Sequence, residues 1–183
     1  MALEIVASLL TFAVVFVSAW FIGGYIVLIF QGERTLLSPV LRPVEHGIYK
    51  VTGIDEEKEQ TWVGYLVAML FVTVISLVFT YLVLRYQDKL PFQSQLNPQG
   101  SPGVPADLSF NTAVSFTTNT NWQNYSGEST LSYLSQMVGL VFHQFLSAAT
   151  GIALAVALIR GIARKSAKTL GSFYVDITRA VLY

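Results

Sequence analysis

Cysteine is missing from this 183-residue chain and histidine occurs twice, at His46 and His143. That excludes disulfide frameworks and thiolate chemistry and leaves too few ligands for a Cys/His zinc site. Charge is equally scarce. Only 12% of the residues are Asp, Glu, Lys or Arg, and their signs balance to a net charge of zero, against about 25% charged residues in soluble domains. No basic stripe could neutralise a phosphate backbone, so a nucleic-acid partner is excluded. There is no GxxxxGK[ST] phosphate loop, no aspartyl-phosphate signature and no nucleophile-base constellation, so the chain is not an enzyme by itself. What is abundant is apolar surface: 53% of the residues are hydrophobic and the mean hydropathy is +0.55.

Three stretches carry no charge at all, Ile5 to Gln31, Gln60 to Leu84 and Ser129 to Ile159. Each exceeds the roughly 20 residues that cross a bilayer core, which predicts an all-α integral membrane protein with three spans. Met1 to Glu4 contain no Lys or Arg, unlike the basic start of a cleaved signal, so the first span is expected to be retained. The basic residues fall unevenly. Arg34, Arg42, Lys50 and Lys58 lie between spans one and two, and Arg160, Arg164, Lys165, Lys168 and Arg179 follow span three, leaving Arg85 and Lys89 for the connection between spans two and three. The positive-inside rule then puts residues 32–59 and 161–183 in the cytoplasm, and the N-terminus and residues 85–128 outside. The segment Gly32 to Glu59 mixes Pro39, Pro43 and Gly53 with the acidic run Asp55 to Glu59 and resembles a surface loop leading into a helix with an acidic first turn.

The outer connection is too long for an ordinary turn and holds four of the six prolines. Within it, Pro105-Ala106-Asp107 is a helix-start signal ahead of an apolar stretch to Phe116. A helix over 105–116 would be about 18 Å long, enough to enter a core of about 30 Å but not to cross it. Thr117 to Gly127 follow, dense in hydroxyls and amides and without charge, and are expected to form an extended return limb. Two readings fit. The limb is an external loop rich in turn residues, or it lines a pore, where backbone carbonyls replace the water of a weakly hydrated monovalent cation and a helix C-terminus adds partial negative charge. The order of span, half-helix, polar limb and span favours the pore.

The run Asn111-Thr112-Ala113-Val114-Ser115-Phe116-Thr117-Thr118-Asn119-Thr120-Asn121-Trp122-Gln123, with Tyr125 to Glu128, Thr130 to Tyr133, Phe145 to Ala153, Ala157 to Arg160 and Thr169 to Gly171, resembles the potassium-binding A subunit of Kdp-type potassium-transporting ATPases. The resemblance implies a transporter superfamily built from four helix-pore-helix repeats behind an additional N-terminal helix. Residues 1–31 would be that helix. Residues 60–160 would be the first repeat, with spans 60–84 and 129–159, pore helix 105–116 and filter 117–123. It further implies that Thr118, Asn119, Thr120, Asn121 and Gln123 bind potassium, the only metal ion expected. A P-type ATPase catalytic subunit would use the ATP, small accessory membrane subunits would assemble with it, and the complex would sit in a bacterial inner membrane. One repeat supplies only one wall of such a pore. A fragment of a four-repeat subunit, a homotetramer of single repeats acting as a passive channel, and a non-conducting fragment all remain open at this point.

Other residues carry weaker signals. Gly139 and the patch Ser147 to Gly151 are candidates for a bend or a close helix contact in a third span that a straight helix would make about 46 Å long. His143 beside Gln144 is a polar pair inside a span, a functional candidate by default, although a lone histidine is more often packed in place. Gly23-Gly24 would permit close packing. The basic residues from Arg160 to Lys168 mark topology or meet anionic lipid.

Overall fold

Three helices are long and apolar enough to cross a membrane, Leu3–Gln31, Trp62–Arg85 and Ser135–Ala163. The computed structural model describes residues 2–164 and 168–183, so Lys165 of the basic cluster lies outside the described residues. Every element among the described residues is helical. They form two compact units, one running through Ile54 and taking in Leu182–Tyr183, the other Asp55–Val181.

In the first unit, helix α1 (Ala2–Gln31) is apolar all round and leaves Leu9, Phe12, Phe16, Trp20 and Phe21 exposed. A helix without a polar face is at home where lipid is the solvent. Helix α2 (Ser38–Thr52) occupies a segment whose prolines suggested only a loop. Pro39 stands in its first turn, where a missing N–H costs nothing. Glu45 is buried and accepts hydrogen bonds from the phenols of Tyr49 (2.8 Å) and Tyr183 (3.0 Å).

The second unit begins with the acidic run, which is not the first turn of a helix as its position suggested. Helix α3 (Trp62–Arg85) starts later, after Thr61, whose hydroxyl oxygen accepts from the Gly64 N–H. The acids are drawn to basic partners instead. Glu59 pairs with Arg164 at 3.2 Å and accepts from the Thr169 hydroxyl, and Glu56 meets Arg179 at 3.5 Å. The Thr169 hydroxyl, then the Arg164 guanidinium, hold the Glu59 carboxyl below its ordinary range.

After α3 the chain makes a 3-10 turn (Gln87–Lys89) and the short helix α4 (Gln93–Leu96), then forms α5 (Ala106–Thr117) and α6 (Gly127–Thr130). A π-helical stretch, Ser135–Val141, runs directly into α7 (Phe142–Ala163), and α8 (Phe173–Leu182) follows. The third span is antiparallel to α3: Tyr65 reaches the Ala153 carbonyl at 2.9 Å, Thr80 meets His143, and Val83 lies against Gly139. Two apolar clusters hold the unit. Ala149, Ala153 and Ala157, one turn apart, make room for the rings of Tyr65 and Phe173, while Leu84, Val104, Phe116, Leu131 and Leu140 form the other cluster.

The connection that carries α5 is laced to the end of α3. Val104 N–H donates to the Leu84 carbonyl, Arg85 donates to the Val104 carbonyl, and Gly103 passes so near the Arg85 carbonyl oxygen that a Cβ would stand 2.5 Å from it. Gln87 is fully buried. Its amide nitrogen donates to the carbonyls of Pro102 and Thr130, and its amide oxygen accepts the Ser132 N–H at 2.9 Å. Those are groups a helix running through 129–134 would need for itself, so the third span starts at Ser135 and not at Ser129.

At the other end of the unit, buried Asp176 of α8 receives a two-pronged bond from Arg160 of α7, at 2.6 and 3.0 Å, with the Tyr65 hydroxyl 3.0 Å away. Gly171 runs beneath this pair at a φ of +99°, where a side chain would collide with the guanidinium. Removing one partner of a buried pair strands the other, so Asp176→Leu or Arg160→Met alone is expected to destabilise by about 3–5 kcal/mol. The double substitution is expected to cost less than the sum of the two. Thermal unfolding of the four proteins in detergent checks both statements.

Candidate functional site

Helix α5 has Pro105 at its N-cap and Asp107 in its first turn, and its entry is pinned by Ser109, whose hydroxyl donates to the Val104 carbonyl at 3.1 Å. Its twelve residues span about 18 Å, roughly half a hydrocarbon core. Ser109, Thr112, Ala113, Ser115 and Phe116 are buried. The chain that leaves its C-terminus must satisfy its backbone without a sheet or a helix.

Ser115 supplies most of the answer. Its carbonyl oxygen accepts from the N–H groups of Thr120 (3.0 Å) and Asn121 (3.2 Å) and from the Thr120 hydroxyl (3.0 Å). Its hydroxyl oxygen accepts from the Trp122 N–H at 2.9 Å and donates to the Trp122 carbonyl at 2.8 Å. Thr118 N–H donates to the Val114 carbonyl, and Asn119 N–H to that of Phe116. Five consecutive N–H groups, 118 through 122, therefore all point back into the last turn of α5. In a planar trans peptide the preceding carbonyl points the opposite way. The carbonyls of Thr117, Thr118, Asn119, Thr120 and Asn121 consequently all face away from α5, as one array.

This limb is not the extended strand that its composition suggested. Asn119 and Asn121 have φ of +59° and +56° with Thr120 between them, and such alternation turns to one side carbonyls that an extended chain would send to both. Asparagine tolerates the left-handed region better than most residues, which accounts for its place at both positions. Among the described residues no donor reaches the carbonyl oxygens of Thr118, Asn119, Thr120 or Asn121. Asn121 Oδ1 and Gln123 Oε1 are buried and also lack a hydrogen-bond partner. The hydroxyls of Thr112 and Tyr125 are likewise buried without a hydrogen-bond partner.

Thr118, Asn119, Thr120 and Asn121 are thus brought into one tight turn, and Gln123 follows beyond Trp122. Gly139 and Gly151 are not part of this cluster. Gly139 lies in the π-helical stretch against Val83 and Thr80, and Gly151 lies within regular α7 with open space beside it. Within the patch Ser147 to Gly151, Ala149 joins the packed core and Ser147 reaches Asn119 Oδ1 at 3.3 Å. Ser115 carried no signal of its own in the sequence, being one of several hydroxyl and amide residues spread along α5. His143 was singled out, but not its partners.

No group of three or more His, Cys, Asp or Glu that could hold a metal exists among the described residues. Residues 117–127 hold no Asp or Glu, and what they offer at the C-terminus of α5 is oxygen dipoles. Residues 9–183 match the family model described as potassium-transporting ATPase A subunit. The chain belongs to this family. A relative from Methylobacterium nodulans, named potassium-transporting ATPase potassium-binding subunit, is 60% identical over 162 residues, 88% of this chain and 28% of the relative. Relatives of the same name from Pseudomonas fluorescens and Solibacter usitatus are 55% and 54% identical over 94% and 93% of this chain, and 30% and 29% of their own lengths. The chain thus spans somewhat under a third of the curated relatives it matches.

Because Ser115 holds the limb through its side chain as well as its backbone, Ser115→Ala removes both hydrogen bonds to Trp122. The Trp122 amide is expected to exchange its hydrogen at least about tenfold faster, the equivalent of one lost buried bond. Hydrogen exchange followed by mass spectrometry reads this directly. Asn121→Gly is expected to leave the exchange pattern of the limb intact, whereas Asn121→Val, a β-branched residue forced to positive φ, disrupts it.

Proposed function

We propose that this chain forms the first helix-pore-helix repeat, with its preceding helix, of a potassium-binding and potassium-translocating subunit of an ATP-driven uptake pump. The observation that carries the reading is the one-sided carbonyl array of residues 117–121. Among the described residues the carbonyl oxygens of Thr118 to Asn121 have no donor, and the array sits at the C-terminal end of a helix only about half as long as a bilayer core is thick. Dehydrated monovalent cations are held by arrays of this kind, in which the number and spacing of carbonyl dipoles replace the water shell. The partial negative charge at the end of α5 adds to the attraction. Thr117 to Gly127 contain no charged side chain, which suits a weakly hydrated monovalent ion better than a divalent one. The names of the relatives supply potassium as the ion and an ATPase as the assembly.

In this reading potassium arrives from the extracytoplasmic side, with the N-terminus and residues 85–128 facing outward, and sheds water against Thr118, Asn119, Thr120, Asn121 and Gln123. It then passes through the bacterial inner membrane. A P-type catalytic subunit hydrolyses ATP, and small accessory membrane subunits complete the complex. Thr118, Asn119 and Thr120 are exposed, so the array is one wall, and oxygens from further repeats close the site.

The test is uptake by membranes carrying the complete subunit with its partners. Asn119→Ala strains the left-handed backbone that aims the neighbouring carbonyls, and Gln123→Ala removes an unpartnered amide oxygen; each is expected to raise the potassium concentration for half-maximal uptake by about tenfold, or to admit sodium. Unchanged uptake kinetics in both variants would remove the assignment.

A further inference from the structure

His143 is 1% exposed, and the potassium reading makes no use of it. Its Nδ1 lies 3.1 Å from the Gly139 carbonyl oxygen and 3.0 Å from Thr80 Oγ1 of α3, and its Nε2 lies 3.1 Å from Thr117 Oγ1 of α5. A carbonyl can only accept, so Nδ1 carries the proton. In the neutral ring Nε2 then offers a lone pair to the Thr117 hydroxyl. The contrast with the next residue is informative. Thr118 donates its hydroxyl to the Val114 carbonyl, the usual local bond of a helical threonine, whereas Thr117 is bound by a residue 26 positions away.

Thr117 ends α5, and its carbonyl is the first of the array. One turn beyond His143, Ser147 meets the Asn119 side chain at 3.3 Å. Positions 139, 143 and 147 therefore form one stripe that touches α3 through Thr80 and Val83 and touches the limb at two points. The π-helical stretch ends at Val141, two residues before His143. Its wider turns set the face on which that stripe emerges, in keeping with the frequent placement of π-helical turns at functional sites.

We propose that His143 is a positioning residue for the cation site: it fixes Thr117 against α3 and so sets the height and spacing of the carbonyl array, governing ion preference without touching the ion. The inference rests on the carbonyl array being the potassium site. Discrimination between cations of similar charge depends on the number and spacing of the coordinating oxygens, and functional groups must be held to within about 0.5 Å by their supporting residues. A hydrogen bond from a buried side chain on a membrane-spanning helix provides that support.

The experiment measures uptake by the complete subunit with its partners, normalised to the amount of assembled complex. Half-maximal concentrations are determined for potassium and rubidium in Thr117→Val, His143→Leu, His143→Gln and the Thr117→Val/His143→Leu double variant. Thr117→Val and His143→Leu are each expected to raise the potassium value by about tenfold, as for one lost buried hydrogen bond, and to change the potassium-to-rubidium ratio. His143→Gln, which keeps an acceptor, is expected to stay within about threefold, and the double variant to match the worse single, because both singles break the same bond. Thr117→Val keeps the side-chain shape, so it decides the matter even where His143→Leu fails to assemble. Normal affinity and ratio in Thr117→Val, or additive shifts in the double variant, overturn the inference. If Asn119→Ala and Gln123→Ala shift the affinity while Thr117→Val does not, only the role of His143 falls. If none of them shifts it, the potassium site itself falls as well.

Discussion

The backbone that leaves the C-terminus of α5 continues in neither a helix nor a sheet, so its N–H groups need other partners. Here five successive N–H groups are satisfied by the last turn of the helix they have just left, two of them by a single carbonyl oxygen, that of Ser115. Everything distinctive about the site follows from this. The donors are spent inward, peptide planarity turns the acceptors outward, and a limb without a charged side chain becomes a surface of directed negative partial charge.

A surface of that kind has value only if its oxygens keep their spacing, and the rest of the second unit serves that end. Gln87 ties the connection before α5 to the start of the third span with one buried amide. Alanines one turn apart in α7 admit the rings of Tyr65 and Phe173, and the Arg160–Asp176 pair fastens α8 to the base of the same helix. The two ends of α3 are thus held by different means, polar capture beside the connection and apolar packing around an ion pair at the opposite end. Between them α5 is held by Leu84, Val104, Phe116, Leu131 and Leu140.

Much of the architecture was legible in the sequence because the bilayer writes it in composition. Three charge-free runs became three helices long and apolar enough to cross a membrane, and Pro105 and Asp107 mark the start of α5. Less legible was what depends on side chains meeting across long separations. Gln87 stops the third span from starting early, yet nothing near residue 129 announces it. Asp55 to Glu59 resembled a helix start because acids suit that position, but Arg164, Thr169 and Arg179 compete for Glu59 and Glu56 and win. The shape of the limb was hidden for another reason. Asn-Thr-Asn suits a turn and a strand end alike, and only the bonds from Ser115 select the left-handed pair. Family resemblance singled out the residues of the limb, but not the direction in which its carbonyls point.

The groups offered to solvent or solute along residues 117–121 are main-chain oxygens, which every amino acid possesses. No point mutation can delete one. Drift at these positions can therefore retune such a site only by re-aiming its atoms, and the substitutions that matter most for its behaviour are those that change torsion angles, at Asn119 and Asn121, or that loosen anchors such as Ser115. In a lineage of related chains, functional divergence would then appear as changes in residues that never meet the cargo, while the chemistry presented to it stays constant.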